Sequence, residues 1–511
     1  MAGSRAEAGT EGLSGKRIGS VLYKNERFMK NVTLAPAAVF DCFARINKVP
    51  RPSKREEKII AYLENFGKGL GLETRTDATG NVLIRKPGTA GMENLPVVVL
   101  QSHMDMVCEK NAETDFDFDN DAIETYVDGE WLKARGTTLG ADDGIGMAMQ
   151  MALLEATDIA HGPIECLFTR DEETGLTGAA GLAADFLTGR YLINLDSEDE
   201  GQIYVSCAGG ARTIAWFAYN GEALPEGFFC AQVCVSGLTG GHSGDDIDKK
   251  RANANKLLIR FLCDEQEKMD VRLVDIQSGG LHNAIPREGR AVIAVPAAKK
   301  EELCVDLNLF VAAVEEEYAQ TEPNFRMTLE SCPPASVCME KEAARRMLKS
   351  LRALHNGVFA MSQDMEGLVE TSSNLASVHK EDERVVVTTS QRSSVASARE
   401  NISAQVRATL ELGGAKTETN EGYPGWKMNP RSKMLALAVE SYERLFGRKP
   451  KVLAIHAGLE CGLFSEKYPG IDMVSMGPTL RGVHSPDEKL LIPTVDLVWR
   501  HLLDMLAHVK D

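Results

Sequence analysis

Short apolar runs recur along this chain, and most of them are followed at once by histidine or acidic residues. Such runs cover residues 97–100, 164–168, 191–195 and 471–476. Runs of this length that are rich in β-branched residues are typical of strands buried in a parallel sheet. In open α/β sheets, ligands collect beyond the carboxyl ends of the strands. The pattern therefore predicts an α/β domain whose functional side chains gather at one edge of its sheet.

Helical patterns lie between and after these runs. Residues 53–56 read Ser-Lys-Arg-Glu, the form of a capping box, and apolar residues follow at helical spacing over 59–66. A glycine-rich loop at 136–146 enters another helix, and its glycines lack the spacing of a phosphate-binding fingerprint. In the closing helix the apolar face excludes His501 and His508, so we expect both histidines at the surface.

The pattern of predicted strands and helices changes near residue 209 and again near residue 423. Between these points the predicted order is strand–helix–strand–strand–helix–strand, which indicates an α+β sandwich, with a further helix and strand after it. After residue 423 the chain again contains short apolar runs followed by histidine, as in its first part. We therefore predict a disordered tail over 1–22, one domain built from 23–209 and 423–511, and a second domain inserted over 210–422.

Composition and charge narrow the possible partners. The chain has 511 residues, 43% hydrophobic and 26% charged, as in ordinary globular proteins, and its net charge of −17 disfavours nucleic acid or an anionic membrane. Neither an apolar run of membrane-spanning length nor a secretory signal is expected. Eleven scattered cysteines without a Cys-x-x-Cys pair predict reduced thiols and a cytoplasmic location.

Loops after separate strands supply two histidines and several carboxylates: His103, Asp142, Glu172, Glu173, Asp196 and His484. A single acidic pair or one His-x-Asp would be an ordinary solvated loop, but several strand ends converge here. Histidine and carboxylate donors without cysteine suit zinc, cobalt or manganese. One carboxylate can bridge two ions about 3.5–4 Å apart, while another takes a proton from water. The set therefore predicts a two-metal hydrolytic site.

Five of these segments resemble the di-zinc metallopeptidase family that includes carnosinases, dipeptidases and aminoacylases. They lie at residues 102–107, 136–142, 171–175, 194–198 and 482–486. Within the family the similarity is closest to the aminoacyl-histidine dipeptidases, with further matching segments at 238–244, 253–262, 283–287 and 456–462. The resemblance implies an α/β catalytic domain with a mostly parallel central sheet flanked by helices, and an inserted α+β lid that also forms a homodimer.

The resemblance implies two divalent metal ions per subunit, with zinc favoured over cobalt or manganese. Asp142 would bridge the two ions. His103 and Asp196 would complete the coordination of one ion, and Glu173 and His484 that of the other.

The resemblance also implies roles around the metals. Glu172 would be the general base that activates water, and Asp105 would orient the ring of His103. From the lid, His242 would stabilise the oxyanion and would reach the site of a partner subunit. Asn283 and Arg392 would hold the carboxylate end of a small peptide substrate.

Glu460 is a candidate of a different origin. A dipeptidase must hold the ammonium group of its substrate, and a carboxylate in a glycine-rich loop beside the site suits that task; a solvated loop acid is the equal alternative. The favoured function is metal-dependent hydrolysis of dipeptides with a free amino terminus, of the Xaa-His type or of broad specificity. Two alternatives stay open: a deacylase of N-acyl amino acids, and a metal-binding scaffold without catalysis.

Overall fold

The structure is a computed structural model that describes residues 33–510, so the predicted tail lies outside the described residues. The first part of the chain holds helices α1 to α4 and strands β1 to β8. Their bounds are α1 Ala37–Ile46, α2 Glu57–Gly69, β1 Glu73–Thr76, β2 Val82–Lys86, β3 Val98–His103, β4 Thr125–Asp128, β5 Trp131–Ala134, α3 Ala141–Glu155, β6 Ile164–Thr169, α4 Thr177–Gly181, β7 Tyr191–Asn194 and β8 Gln202–Cys207.

The last part of the chain returns to the same domain. Its elements are α9 Lys433–Phe446, β22 Lys451–Ile455, α10 Glu460–Lys467, β23 Asp472–Ser475, β24 Leu480–Arg481, β25 Lys489–Leu491 and α11 Ile492–His508. The intervening elements, β9 to β21 and α5 to α8, form the inserted region described below.

An eight-stranded sheet organises this domain, in the order β1-β2-β6-β3-β7-β23-β8-β22. The sheet is mixed, but its central neighbours β6, β3, β7 and β23 run parallel. Every residue of β3, β6 and β7 is buried, as the continuous apolar runs predict. Because these strands are parallel, their carboxyl ends meet at one edge of the sheet, where His103 ends β3.

The inserted region forms a second, nine-stranded antiparallel sheet. Its elements are β9 Gly209–Ala218, β10 Gly221–Ala223, β11 Phe228–Ser236, β12 Gly241–His242, α5 Ala254–Gln266, β13 Arg272–Gly279, β14 Ala284–Ile285, β15 Gly289–Pro296, a 3-10 turn Ala297–Lys299, α6 Lys300–Glu317, β16 Arg326–Ser331, β17 Val337–Met339, α7 Lys341–Ala353, β18 Gly357–Met361, β19 Val369–Glu381, β20 Arg384–Ser393, α8 Ala396–Leu412 and β21 Lys416–Thr419. One hydrophobic core joins the four helices to this sheet.

The nine-stranded sheet contains the same unit twice. The unit β11-α5-β13-β15-α6-β16 has the strand order fourth, first, third, second, and so has the unit β9-α7-β19-β20-α8-β21. The first unit is inserted after β9 of the second. The two units meet where β13 and β19 pair antiparallel, from Gln277 opposite His379 to Gly279 opposite Ser377. The two units thus pair through equivalent strands, as two copies of one unit would in a dimer with a two-fold axis, but here both units belong to one chain.

Two neighbouring segments connect the sheets. Cys207 pairs with Trp426 and Gly210 pairs with Tyr423, so the outgoing and returning chains run side by side. A Cβ atom at Gly209 would lie 2.5 Å from the backbone nitrogen of Gly425, so this close approach requires glycine. The inserted region is therefore attached through two segments that pair with each other.

The closing helix departs from the prediction at one histidine. His508 is exposed, but His501 is only 3% exposed, and its Nε2 lies 2.8 Å from the carbonyl oxygen of Ala438 in α9. The surface prediction for His501 is wrong because α9 covers that side of α11. Across the part of the chain that the structure describes, none of the helices combines the length and the apolar character needed to cross a membrane.

Candidate metal centre

Asp142 lies between two histidines that come from opposite ends of the sequence. Its Oδ1 is 3.2 Å from Nε2 of His103, and its Oδ2 is 3.2 Å from Nε2 of His484. Asp142 occupies the first turn of α3, whereas His103 ends β3. A carboxylate whose two oxygens face different imidazoles has the geometry that bridging two ions requires.

One further acid completes a group on each side of Asp142. Asp196 Oδ1 lies 3.5 Å from Nε2 of His103, and Glu173 Oε2 lies 2.9 Å from Nε2 of His484. Within each of the two triads the donor atoms lie within 4.8 Å of one another. Each triad could hold one divalent cation, and the two triads share Asp142.

The buried carboxylate of Asp105 ties the end of β3 to the acidic pair. Its Oδ1 is 3.4 Å from Nδ1 of His103 and accepts from the backbone N–H of Glu172 at 3.0 Å. Its Oδ2 accepts from the N–H of Glu173 at 3.3 Å and from the Ser53 hydroxyl at 2.7 Å. Nδ1 of His103 also lies 3.2 Å from the backbone carbonyl oxygen of Asp105, so Asp105 positions the ring through its backbone as well as its side chain. The same carboxylate fixes the backbone of Glu172 and Glu173.

The hydroxyl of Ser53 corrects one prediction from the sequence. The helix after the predicted capping box begins at Glu57, and no side chain caps its N-terminus. Ser53 donates to Asp105 instead. Ser53 lies four residues before the first helical residue, and the chain turns at Lys54 with a φ of +67°, so Ser53 is not at the N-cap position.

The carboxylates of this cluster carry negative charge at close range, which divalent cations would neutralise. Burial raises the pKa of Asp196 to about 7 and raises the pKa of Glu172 well above its usual value. Hydrogen bonds to Asp142 and Glu173 raise the pKa of His484 to about 11. The crowded carboxylates thus attract positive charge to this site. A donor set of imidazoles and carboxylates without thiolate accepts zinc, cobalt or manganese.

Glu460 is not a solvated loop acid. It is fully buried at the start of α10, and its Oε2 accepts from Nε2 of Gln101 at 2.5 Å and from Oγ1 of Thr169 at 2.8 Å. Among the described residues its Oε1 has no hydrogen-bond partner. Burial raises the pKa of Glu460 to about 8. A contact between Glu460 and a substrate ammonium stays a prediction.

The three predicted lid residues lie together. His242 is in β12, and the N–H of Ser243 donates to the carbonyl of Asn283 at 2.8 Å. Nη2 of Arg392 is 3.4 Å from Nε2 of His242, and its Nη1 donates to the hydroxyl of Tyr423 at 2.8 Å. The inserted region thus presents an imidazole and a guanidinium side by side, next to the returning segment at Tyr423.

This part of the inserted region packs against the first domain of the same chain. Nε2 of His456, which follows β22, lies 2.7 Å from the hydroxyl of Ser372 in β19. A Cβ atom at Gly244, two residues after His242, would overlap the carbonyl oxygen of His456. Burial lowers the pKa of His456 to about 4, so it is a neutral ring at this contact. The sequence analysis assigned no role to His456 or Ser372, because only the folded chain brings them together.

Two histidine–carboxylate triads that share one aspartate, at the carboxyl edge of an α/β sheet, define a hydrolase of the two-metal type. The chain belongs to peptidase family M20/M25/M40, whose model matches residues 99–508. The family resemblance and the α/β fold class predicted from the sequence are confirmed.

Individual relatives cover nearly the whole chain. It is 44% identical over 476 residues to the cytosol non-specific dipeptidase of Escherichia coli, a match of 93% of this chain and 98% of that protein. The crystal structure of aminoacylhistidine dipeptidase from Vibrio alginolyticus has a TM-score of 0.87 at 44% identity, covering 94% of this chain and 98% of that one. Aminopeptidase PepT from Bacillus cereus, at 17% identity and a TM-score of 0.54 over 92% and 98%, shares the fold.

Proposed function

We propose that this protein is a dipeptidase that cleaves dipeptides with a free amino terminus and uses two divalent metal ions, zinc foremost. The position of Asp142 between the two triads carries the proposal. Two relatives at 44% identity, named as a non-specific dipeptidase and an aminoacylhistidine dipeptidase, support the substrate class. A cytoplasmic location is proposed with it, in keeping with eleven free cysteines and with the name of the first relative.

The metal ions would be held by His103, Asp142 and Asp196 on one side and by Asp142, Glu173 and His484 on the other. When bound, they would polarise the substrate carbonyl and supply an activated water. Glu172 belongs to neither triad with Asp142 but lies next to Glu173 in a group with His103. Its partly buried carboxylate would take the proton of the attacking water and return it to the leaving amine.

The group formed by His242, Asn283 and Arg392 would bind the substrate from the side of the inserted region. His242 would donate a hydrogen bond to the oxyanion that forms as water attacks. Arg392, with Asn283, would hold the terminal carboxylate, since a guanidinium forms strong charge-assisted hydrogen bonds to carboxylate. The Tyr423 hydroxyl accepts from Arg392 and would keep that side chain in position.

We further propose that residues 210–422 are the lid domain and that the lid serves the active site of its own chain. The sequence analysis assigned His242 to a partner's site. Two features support the own-chain alternative: the sheet of the lid already contains both units, and its His242 group contacts His456 of the same chain. A homodimer formed through the lid remains compatible with this arrangement.

His242→Ala should lower kcat by about 10²- to 10³-fold with a smaller change in KM, because it removes a donor to the transition state only. The variant is then mixed, under subunit-exchange conditions, with a Glu172→Gln variant that retains His242. If each site uses its own lid, the mixture has no more activity than the two variants apart. If lids act across subunits, one of the two sites in each heterodimer is complete, so a randomly exchanged equimolar mixture regains about a quarter of wild-type activity.

A hydrolysis panel tests the proposed function itself. Purified protein is assayed on β-Ala-His, Leu-His, Gly-Leu and N-acetyl-leucine, each with added zinc or manganese and with a chelator. We expect metal-dependent cleavage of the free dipeptides and none of the acetylated compound. Cleavage of N-acetyl-leucine alone would make the protein a deacylase. Metal binding without cleavage of any of these compounds would favour the scaffold alternative.

A further inference from the structure

We propose that Glu488 is a positioning residue of the metal centre, which holds the loop of Asp142 and the loop of His484 as one unit before any metal enters. The inference rests on the proposed assignment of Asp142 and His484 as ligands. No role for Glu488 follows from the sequence, where it is an acid just before a short strand.

The carboxylate of Glu488 accepts four consecutive backbone N–H groups. Its Oε2 accepts from Leu139 at 2.7 Å and from Gly140 at 2.9 Å, and its Oε1 accepts from Ala141 at 2.8 Å and from Asp142 at 3.2 Å. These amides lead into α3, where a helix leaves its first N–H groups without partners. With an exposed fraction of only 2%, Glu488 holds this segment away from water.

A buried arginine holds the same segment from the other side. Nη2 of Arg51 donates to the carbonyl of Gly140 at 2.5 Å, and Nη1 donates to the carbonyls of Met104 at 3.3 Å and Asp105 at 2.9 Å. Arg51 is 1% exposed, and the charge of Glu488 offsets part of the cost of burying its guanidinium. The Gly140 peptide is therefore fixed at both its N–H and its carbonyl group.

The second loop is the turn that carries His484, and Glu488 belongs to the same turn. His484 has a φ of +61°, in the left-handed region that side chains rarely adopt, and this conformation must be imposed by its surroundings. Four residues later, the N–H of Glu488 donates to the carbonyl of Ser485 at 3.0 Å, and β25 then pairs with β5. The carboxylate of Glu488 thus connects the backbone that carries Asp142 to the turn that carries His484.

Glu488→Gln tests the inference because glutamine keeps the size of the side chain but turns one acceptor into a donor that faces N–H groups. We expect the affinity for zinc, measured by competition with a chromophoric chelator, to fall about 10- to 100-fold. Excess zinc should restore most of kcat, since no group that touches the substrate is changed. Asp487→Asn, an exposed neighbour in the same loop, is the matched control and should behave as wild type. Unchanged zinc affinity in Glu488→Gln would overturn the proposal.

A measurement on the unmodified protein covers the case in which the variant does not fold. In metal-free wild-type protein, the amides of residues 139–142 should exchange with deuterium as slowly as in the zinc-loaded protein, because Glu488 already binds them. Fast exchange without metal and slow exchange with zinc would show that metal orders the loop, which contradicts the proposal. Zinc affinity and amide exchange do not depend on dipeptide cleavage, so a protein that binds zinc but cleaves no dipeptide would refute the proposed function alone.

Discussion

Glu172→Gln should lower kcat by about 10³-fold or more while both metal ions remain bound, because Glu172 is assigned as general base and not as a ligand. Its carboxylate is partly buried, desolvation raises its pKa, and its backbone N–H donates to Asp105. A glutamine amide fits the same space and cannot take a proton. Steady-state kinetics together with metal analysis by atomic emission provide the measurement.

The neighbouring acid supplies the control for this prediction. Glu173 lies 2.9 Å from His484 in the second triad, so Glu173→Gln should lower the metal content toward one ion per chain. If Glu172→Gln instead loses an ion and Glu173→Gln keeps two, the roles of the two glutamates are reversed.

Asp142→Ala should abolish both metal binding and activity. Among residues 33–510, Asp142 is the side chain whose two oxygens face both histidines, so its loss would remove a proposed ligand from each triad at once. It also removes the negative charge that lies between two cations, which would then repel each other across a short distance. Metal content per chain after dialysis against dilute zinc, with circular dichroism to confirm folding, provides the measurement.

His103→Ala is the matched comparison for Asp142→Ala. His103 contributes to the triad with Asp196 and not to the triad with Glu173 and His484. The His103 variant should therefore retain about one ion, held by the second triad. Retention of two ions by Asp142→Ala would contradict a bridging role.

The sequence predicts that the candidate ligands lie together because each of them follows a recognisable local pattern. His103 ends a buried strand, and Asp142 enters a helix behind a glycine-rich loop. Parallel strands bring their ends together by topology, so convergence at one edge can be inferred without knowing any tertiary contact. The resemblance to a known family then assigns a role to each position.

The supporting residues could not be predicted in this way. Ser53 has the local pattern of a helix cap, yet its hydroxyl bonds to Asp105, 52 residues away. Glu488 bonds to amides 346 to 349 residues away, and no local pattern distinguishes it from an ordinary loop acid. Such partners are chosen by burial and charge in the folded chain, which a local pattern does not contain.

The repeated unit of the inserted region could not be recognised from the sequence for a related reason. The first unit lies inside the second, so the strands that form one unit, β9 and β19 for example, are separated by the whole of the other. The sequence therefore predicts one strand–helix–strand–strand–helix–strand order, with the remaining elements as an extension. Only the strand pairing shows that these elements are a second copy.

Anomalous X-ray diffraction at the zinc edge, on crystals of the zinc-loaded protein, tests the central claim most directly. The account predicts two peaks about 3.5–4 Å apart on either side of Asp142. One peak should contact His103 and Asp196, and the other should contact Glu173 and His484. A single peak, or a pair of peaks that do not share Asp142, would contradict the two-metal site proposed for this chain.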